Sequence, residues 1–287
     1  YIANWEVRKY PVRVVSKDGE EYVLNVEKDS KILASNPIGG STVLGLYSDA
    51  GFSKDLNGEY WVKGTAGETI YARLSSAEHP CPIENAEDWN LFKSRMSGAY
   101  PSWRTAHFKL VKADGSPVSL ALNGWQESIG SSSIPFNGTF DGNGIGGSEI
   151  VFGGSGPSGY STAGLFAELG TSGVVQNVRI TGELRGINSA YSSFGTVTAK
   201  NTGTIKNCTF TGLIEVATAG SKPAGGLAGE NGGTIEGCSL GPGTAINGST
   251  ASNIGGIAGK NVNGGTITGD VAFGNVLVIG GESTGGI

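Results

Sequence analysis

The sequence predicts a mostly β protein: a small N-terminal β domain followed by a right-handed parallel β-helix with an N-terminal capping helix. Three observations predict it. A motif recurs every thirty residues in the C-terminal half, its short runs alternate apolar and polar residues, and glycine is concentrated in that same half. Of 50 glycines among 287 residues, eleven lie in 1–129 and thirty-nine in 130–287. Composition therefore shifts near residue 130, and no Gly-X-Y period points to collagen.

The N-terminal elements come first in the chain. Residues 10–26 give two alternating runs, Val12-Arg13-Val14-Val15 and Tyr22-Val23-Leu24-Asn25-Val26, with Asp18-Gly19 between them as a hairpin signal. Further strands are expected at Thr42–Tyr47 and Thr69–Leu74. Tyr1-Ile2-Ala3-Asn4-Trp5 echoes Ile70-Tyr71-Ala72-Arg73-Leu74, so residues 1–5 read as the end of a preceding repeat and 6–75 as one β domain. Residues 76–129 read as a linker and cap. Asn85 is placed to cap a helix with Asp88 at its third position, and Trp89, Phe92 and Met96 fall on one helical face. That face is expected to cover the open end of a β stack, with Trp125 and Phe136 as large apolar groups at the start of the core.

Residues 130–287 carry the repeat. GGLAGENGGTIEGC at 225–238 matches GTVTAKNTGTIKNC at 195–208, sharing Gly195/Gly225, Asn201/Asn231, Gly203/Gly233, Ile205/Ile235 and Cys208/Cys238. GGIAGKN follows from Gly255 to Asn261, with Thr266-Ile267 displaced by an insertion of two residues, and Gly285-Gly286-Ile287 comes thirty later. An earlier copy runs through Gly164-Leu165-Phe166 and Val175-Gln176-Asn177-Val178. Period two means strands with one buried face, and a unit of this size closes a core only by stacking on its neighbours. Stacking puts Lys200, Glu230 and Lys260 in one column and Lys206 and Glu236 in another, so these charges read as alternating ladders rather than catalytic carboxylates. Cys208 and Cys238 read as stacked, reduced, apolar side chains, since adjacent in-register parallel strands suit disulfide geometry poorly; a disulfide is the other reading.

Residues 10–74 resemble the Listeria–Bacteroides repeat, or internalin B-repeat, through Gly45-Leu46-Tyr47-Ser48-Asp49 and Ile70-Tyr71-Ala72-Arg73-Leu74. Leu46 and Leu74 stand where that family customarily has tryptophan. The resemblance implies a β-grasp-like module of bacterial surface proteins. Residues 83–287 resemble GLUG-motif proteins at Ala86-Glu87-Asp88-Trp89-Asn90-Leu91-Phe92, at Phe136-Asn137-Gly138-Thr139-Phe140-Asp141-Gly142-Asn143-Gly144, and at Gly226-Leu227-Ala228-Gly229-Glu230-Asn231-Gly232-Gly233-Thr234-Ile235. Gly146-Gly147 and Gly195-Thr196-Val197 depart from the motif. Such repeats occur in large secreted bacterial proteins, including adhesins, and the family defines no catalytic residue.

The chemistry-bearing residues are sparse. The formal charge is −5 with no basic block, which argues against nucleic acid and anionic membranes as partners. No apolar run is long enough to span a bilayer. The three cysteines, Cys81, Cys208 and Cys238, are too few and too spread for a disulfide scaffold or a four-cysteine zinc site. His79 and His107 lie outside any H-E-x-x-H motif, and His79 with Cys81 lacks further metal ligands. Gly142, Gly144 and Gly147 spell G-x-G-x-x-G by chance in a glycine-rich stretch with no helix to follow. Asp141 and Asn143 begin like a calcium loop, but Ile145 replaces the next oxygen ligand. Asn137, Asn207 and Asn247 sit in glycosylation sequons, which mean little in a bacterial protein.

No residue is thus assigned as catalytic, cofactor-binding or metal-ligating, and no cofactor is expected. The expected function is a non-enzymatic adhesin or stalk segment of a larger surface protein, extracellular and monomeric, binding a host protein or glycan. The alternative is a carbohydrate-active β-helix enzyme, a lyase or glycosidase, or its substrate-binding part. Such an enzyme needs convergent carboxylates or a metal cluster in one groove.

Overall fold

The computed structural model describes residues 7–123, 128–153, 164–187, 193–216, 220–248, 251–262, 264–269, 271–272, 277–280 and 284–285. The reading of residues 1–5 as an earlier repeat, Trp125, and Gly286-Ile287 fall outside them. Two compact units result. One comprises the chain up to Pro82 with Ala106–Phe108, and the other comprises Ile83–Thr105 with the chain from Lys109 onward.

The first unit is built on six strands: β1 (Lys9–Ser16), β2 (Glu21–Glu27), β3 (Lys31–Leu33), β4 (Thr42–Tyr47), β5 (Glu59–Trp61) and β6 (Glu68–Ser75). Asp18-Gly19 closes the β1–β2 hairpin, with Gly19 at φ 91°, a conformation glycine adopts without cost. The main sheet has order β2-β1-β6-β4. Its outer pairs are antiparallel and its central pair β1–β6 is parallel, with Val14 opposite Ile70. This is the strand order of a β-grasp sheet, and β3 and β5 form a separate antiparallel ribbon in the crossover. Alternation along β1 and β6 turns Val12, Val14, Ile70, Ala72 and Leu74 into one core with Val43, Leu46, Ile32 and Val62. Leu46 and Leu74 are both buried in this core.

The second unit is a parallel β-solenoid of about five turns. One sheet contains 139–141, 174–176, 204–206, 234–236 and 266–268. A second contains 119–123, 149–153, 179–187, 209–216, 239–240 and 271–272. Two four-stranded sheets complete the rungs, through 166–169, 198–201, 228–231 and 258–261 and through 194–195, 220–225, 251–255 and 284–285. Stacking begins upstream of the glycine shift at residue 130, since Ser119–Asn123 pairs in parallel with Glu149–Gly153. The sequence hides this first rung because it carries neither the glycines nor the thirty-residue motif.

The rung interior is a set of apolar columns. Phe140, Val175, Ile205, Ile235 and Ile267 stand in register, as do Leu120, Ile150, Ile180, Phe210 and Leu240. Ile205 and Ile235 are fully buried, while Ile267 is only half-buried, short of the full desolvation that the sequence pattern implies for it. Burying each such side chain stabilises by about 1.5–3 kcal/mol. A polar column runs beside them: Asn201 Nδ2 donates to Asn231 Oδ1 at 2.7 Å, and Asn231 Nδ2 to Asn261 Oδ1 at 2.7 Å. Each of these amides also bonds the backbone carbonyl of the next rung, Thr234 or Thr266, at 3.2 Å. Asn201 and Asn231 are buried without cost because the ladder satisfies them. One corner is fixed by left-handed residues at equivalent places in four rungs: Asn177, Asn207, Gly237 and Gly269, with φ of 54°, 51°, 61° and 64°. Asparagine and glycine are the residues that accept this conformation most readily.

Helix α1 (Ala86–Ser97) forms as its sequence predicts. Asn85 Oδ1 accepts from the backbone N–H of Glu87 and Asp88 at 2.9 and 3.0 Å, and Asp88 Oδ2 accepts from Glu84 N–H at 3.0 Å. Trp89, Phe92 and Met96 are buried. Phe92 stacks on Phe140 (centroids 6.4 Å, 10°) and meets Phe136 and Phe166 edge-on at 5.7 and 6.2 Å. A short helix α2 (Pro101–Arg104) adds Trp103 to this aromatic layer, 6.3 Å from Phe92. The helix therefore covers the first aromatic rung.

Candidate binding surfaces

The outward side chains of the solenoid also stand in columns. Glu168, Lys200, Glu230 and Lys260 share one, alternating in sign. The closest pair in it is Lys200 Nζ with Glu168 Oε1, at 3.4 Å. Repeat alignment missed Glu168 because its rung is displaced by two residues relative to the thirty-residue spacing. The next column runs Gln176, Lys206, Glu236 and Thr268, with Lys206 Nζ 2.9 Å from Glu236 Oε1. A third cluster has Arg185 between Glu183 and Glu215, at 3.0 and 3.3 Å. Most of these side chains are well exposed, so each pair stabilises by less than about 1 kcal/mol. Their effect is to set regular, self-compensating charge on the surface.

The other residues singled out in the sequence do not converge. His79 is on the surface with Nδ1 3.8 Å from Asp18 Oδ2, whereas Cys81 is buried. His107 is held through its backbone, which exchanges two hydrogen bonds with the Ser75 hydroxyl. Asp141 Oδ1 accepts from Asn143 N–H at 2.8 Å and Asn177 Nδ2 at 3.2 Å, and Oδ2 accepts from Gln176 Nε2 at 3.2 Å. It works as a turn residue tied to the next rung, and Ile145 projects into solvent at 88% exposure. Gly142 and Gly144 are required by packing: a Cβ on either would lie within 2.6–2.7 Å of Val178 Cα or the Asn177 carbonyl. Among the described residues no group of three His, Cys, Asp or Glu side chains is placed to share a metal ion.

Cys208 and Cys238 are reduced thiols stacked in the interior, with Cys208 N–H donating to Cys238 Sγ at 3.3 Å. Burial pushes the Cys208 thiol well above its ordinary pKa, assisted by its hydrogen bond with Cys238. Both are inward, apolar rung residues. Of the sequon asparagines, Asn207 is exposed at its corner, while Asn137 and Asn247 are half-buried.

The first unit presents more chemistry than its sequence suggested. Asp49, the acidic residue of the Gly45–Asp49 segment, folds back on its own loop. Its carboxylate accepts from Ser53 N–H, the Ser53 hydroxyl and Lys54 N–H. The Lys54 and Ser53 bonds hold it below the usual carboxylate range. Buried Glu68 clamps the loop before β6: it accepts from Thr65 N–H at 2.7 Å, Lys63 N–H at 3.1 Å and Tyr60 Oη at 2.9 Å. Burial pushes Glu68 up, but these bonds outweigh it and its pKa is lowered. Burial, with the bond to Glu68, pushes Tyr60 up to about 12. On the β3–β5 ribbon, Trp61 is 55% exposed beside Lys31 and Glu59. Sequence reasoning passed over this tryptophan, whose only signal is its place outward in an alternating Glu59-Tyr60-Trp61-Val62 run. Comparison of the chain with protein-family models, with curated proteins and with solved structures finds no match to any of them.

Proposed function

We propose that this chain is a non-enzymatic adhesin or stalk segment of a larger, extracellular bacterial surface protein, presenting host-protein or glycan-binding surface. The observation that carries this reading is the charge pattern of the solenoid. Three of its described outward acids are set against cations of neighbouring rungs, Glu168 with Lys200, Glu236 with Lys206 and Glu215 with Arg185. A glycosidase instead needs two carboxylates facing one another across the scissile bond, and a lyase a cluster of acidic cation ligands beside a basic residue on one face. The resemblance of 10–74 and 83–287 to bacterial surface repeats supports the same reading. A β-solenoid fold by itself suits adhesins and carbohydrate-active enzymes alike. The test is a binding screen of the purified chain against immobilised host extracellular proteins and glycans, run beside a reducing-end and unsaturated-product assay on the same polysaccharides. Saturable binding without turnover supports the proposal. Release of oligosaccharides from any of them overturns it.

A further inference from the structure

The β3–β5 ribbon carries an arrangement that strand formation does not require. Lys31 and Trp61 are directly opposite across the antiparallel pair, and Leu33 faces Glu59. Lys31 Nζ lies 4.4 Å from the centroid of the Trp61 ring and donates to Glu59 Oε2 at 2.8 Å. Glu59 sits below the usual carboxylate range, chiefly through the Lys31 hydrogen bond. The indole thus lies against the Lys31 ammonium, which is itself held by Glu59, while more than half of it remains in water. The ribbon beneath is anchored to the core through the inward residues on either side, Ile32 and Val62, which are 6% and 1% exposed. A threonine or valine would serve the strand as well as tryptophan does.

We infer that Trp61 is a stacking platform for a neutral pyranose ring, with Lys31 donating to and Glu59 accepting from its hydroxyls; the inference rests on the glycan branch of the adhesive function proposed above. A pyranose has a face of C–H groups that matches a flat, exposed indole, and a rim of hydroxyls that both donate and accept. Tryptophan offers large contact area at low conformational cost. The flanking ammonium and carboxylate cancel each other, and the chain carries a net charge of −5. Both features favour a neutral sugar over a uronate or sialylated one.

The test is a titration of the isotope-labelled full chain with cellotetraose, lactose and N-acetyllactosamine, and with a hyaluronan hexasaccharide as the anionic comparison, followed through the indole N–H resonances. Assignment of the Trp61 signal comes from Trp61→Phe. A neutral sugar is expected to shift the Trp61 resonance, and Trp61→Ala to weaken its binding at least about tenfold. Trp61→Phe should weaken it only severalfold, since a stacking face remains. The melting midpoints should not move, because the ring is outward. If a sugar binds but Trp61→Ala binds it equally well, the platform is overturned and the adhesive function stands. Binding of hyaluronan in preference to the neutral sugars overturns the stated ligand class. If no neutral sugar moves the Trp61 resonance, the inference fails, and the binding screen against host proteins and glycans decides the adhesive function separately. Should Trp61→Ala misfold, the resonance shift in the unmodified chain and the Trp61→Phe affinity still decide the matter.

Discussion

Ile235 and Lys206 lie on the same sheet of the solenoid and point to opposite sides. Ile235 is fully buried between Ile205 and Ile267, whereas Lys206 is half-exposed and pairs with Glu236. Truncating Ile235 to Ala leaves a cavity between two rungs that cannot readily close, and is expected to cost about 2–5 kcal/mol. Lys206→Ala is expected to cost less than about 1 kcal/mol. A register slip of one residue would exchange the two roles, so denaturant melts of both variants test the strand assignment directly. At the same scale, Glu68 and Tyr60 make the first unit pH-sensitive at both ends. The Glu68 pKa is lowered on folding, so its stabilisation is present above the unfolded carboxylate value and disappears as pH falls through the folded one. The Tyr60 pKa is raised to about 12, so its contribution is complete below about 10, the ordinary tyrosine value, and is lost as pH rises towards 12. Tyr60→Phe is expected to cost about 1 kcal/mol at neutral pH, from the lost hydrogen bond, and to flatten the alkaline decline. An unchanged slope of melting midpoint between pH 9 and 11 in that variant would remove Tyr60 as the cause of the decline.

Among the elements, helix α1 and the asparagine ladder close the solenoid by different physics. The helix buries an aromatic face, with Phe92 in contact with Phe136, Phe140, Phe166 and Trp103. Phe92→Ala is expected to cost about 3–5 kcal/mol, against about 1 kcal/mol for loss of the Asn85 cap in Asn85→Ala. The ladder instead depends on completeness. Asn231 gives its amide protons to Asn261 and Thr266 and takes one from Asn201. Asn231→Ala strips partners from groups above and below it, for an expected loss of about 2–4 kcal/mol, read by chemical denaturation. The helix was legible in the sequence, and so was the stacking that sets Asn201 on Asn231, but not the buried hydrogen-bond ladder these asparagines form. A cap residue ahead of a 3.6-period aromatic face fits little but a helix packed on a core, and an asparagine recurring at thirty fits little but stacked rungs. The rung at Ser119–Asn123 was not legible, since nothing in its composition repeats. Glu168 escaped for a related reason: an insertion of two residues moved it off the spacing that revealed Lys200 and Glu230. Trp61 was invisible as a site because a lone aromatic in an alternating run is defined only by which face it takes.

At the scale of the whole molecule the chain holds two cores of different construction. The first unit gathers Val12, Val14, Leu46, Ile70, Ala72 and Leu74 around one mixed sheet, which pairs residues as distant in sequence as Val14 and Ile70 and runs in both strand directions. The solenoid core is a line of columns in which each rung contacts its neighbours, so its stability is a sum of rung and interface contributions rather than one cooperative nucleus. The two constructions should respond separately to damage. Ile235→Ala removes apolar contact only from the solenoid, because the first unit's cluster is drawn from residues 12–74. It is therefore expected to lower the midpoint of one unfolding transition by several degrees. The alkaline destabilisation linked to Tyr60 should be unaltered in the same variant. Conversely, Leu46→Ala, at a fully buried position of the first unit, should cost about 2–5 kcal/mol there and leave the solenoid transition in place. Calorimetry of the two variants, with the transitions assigned by tyrosine absorbance at about pH 10.5, distinguishes this from a single shared transition. If Ile235→Ala and Leu46→Ala shift every signal together, the cores are energetically one, and the two units do not act as independent modules.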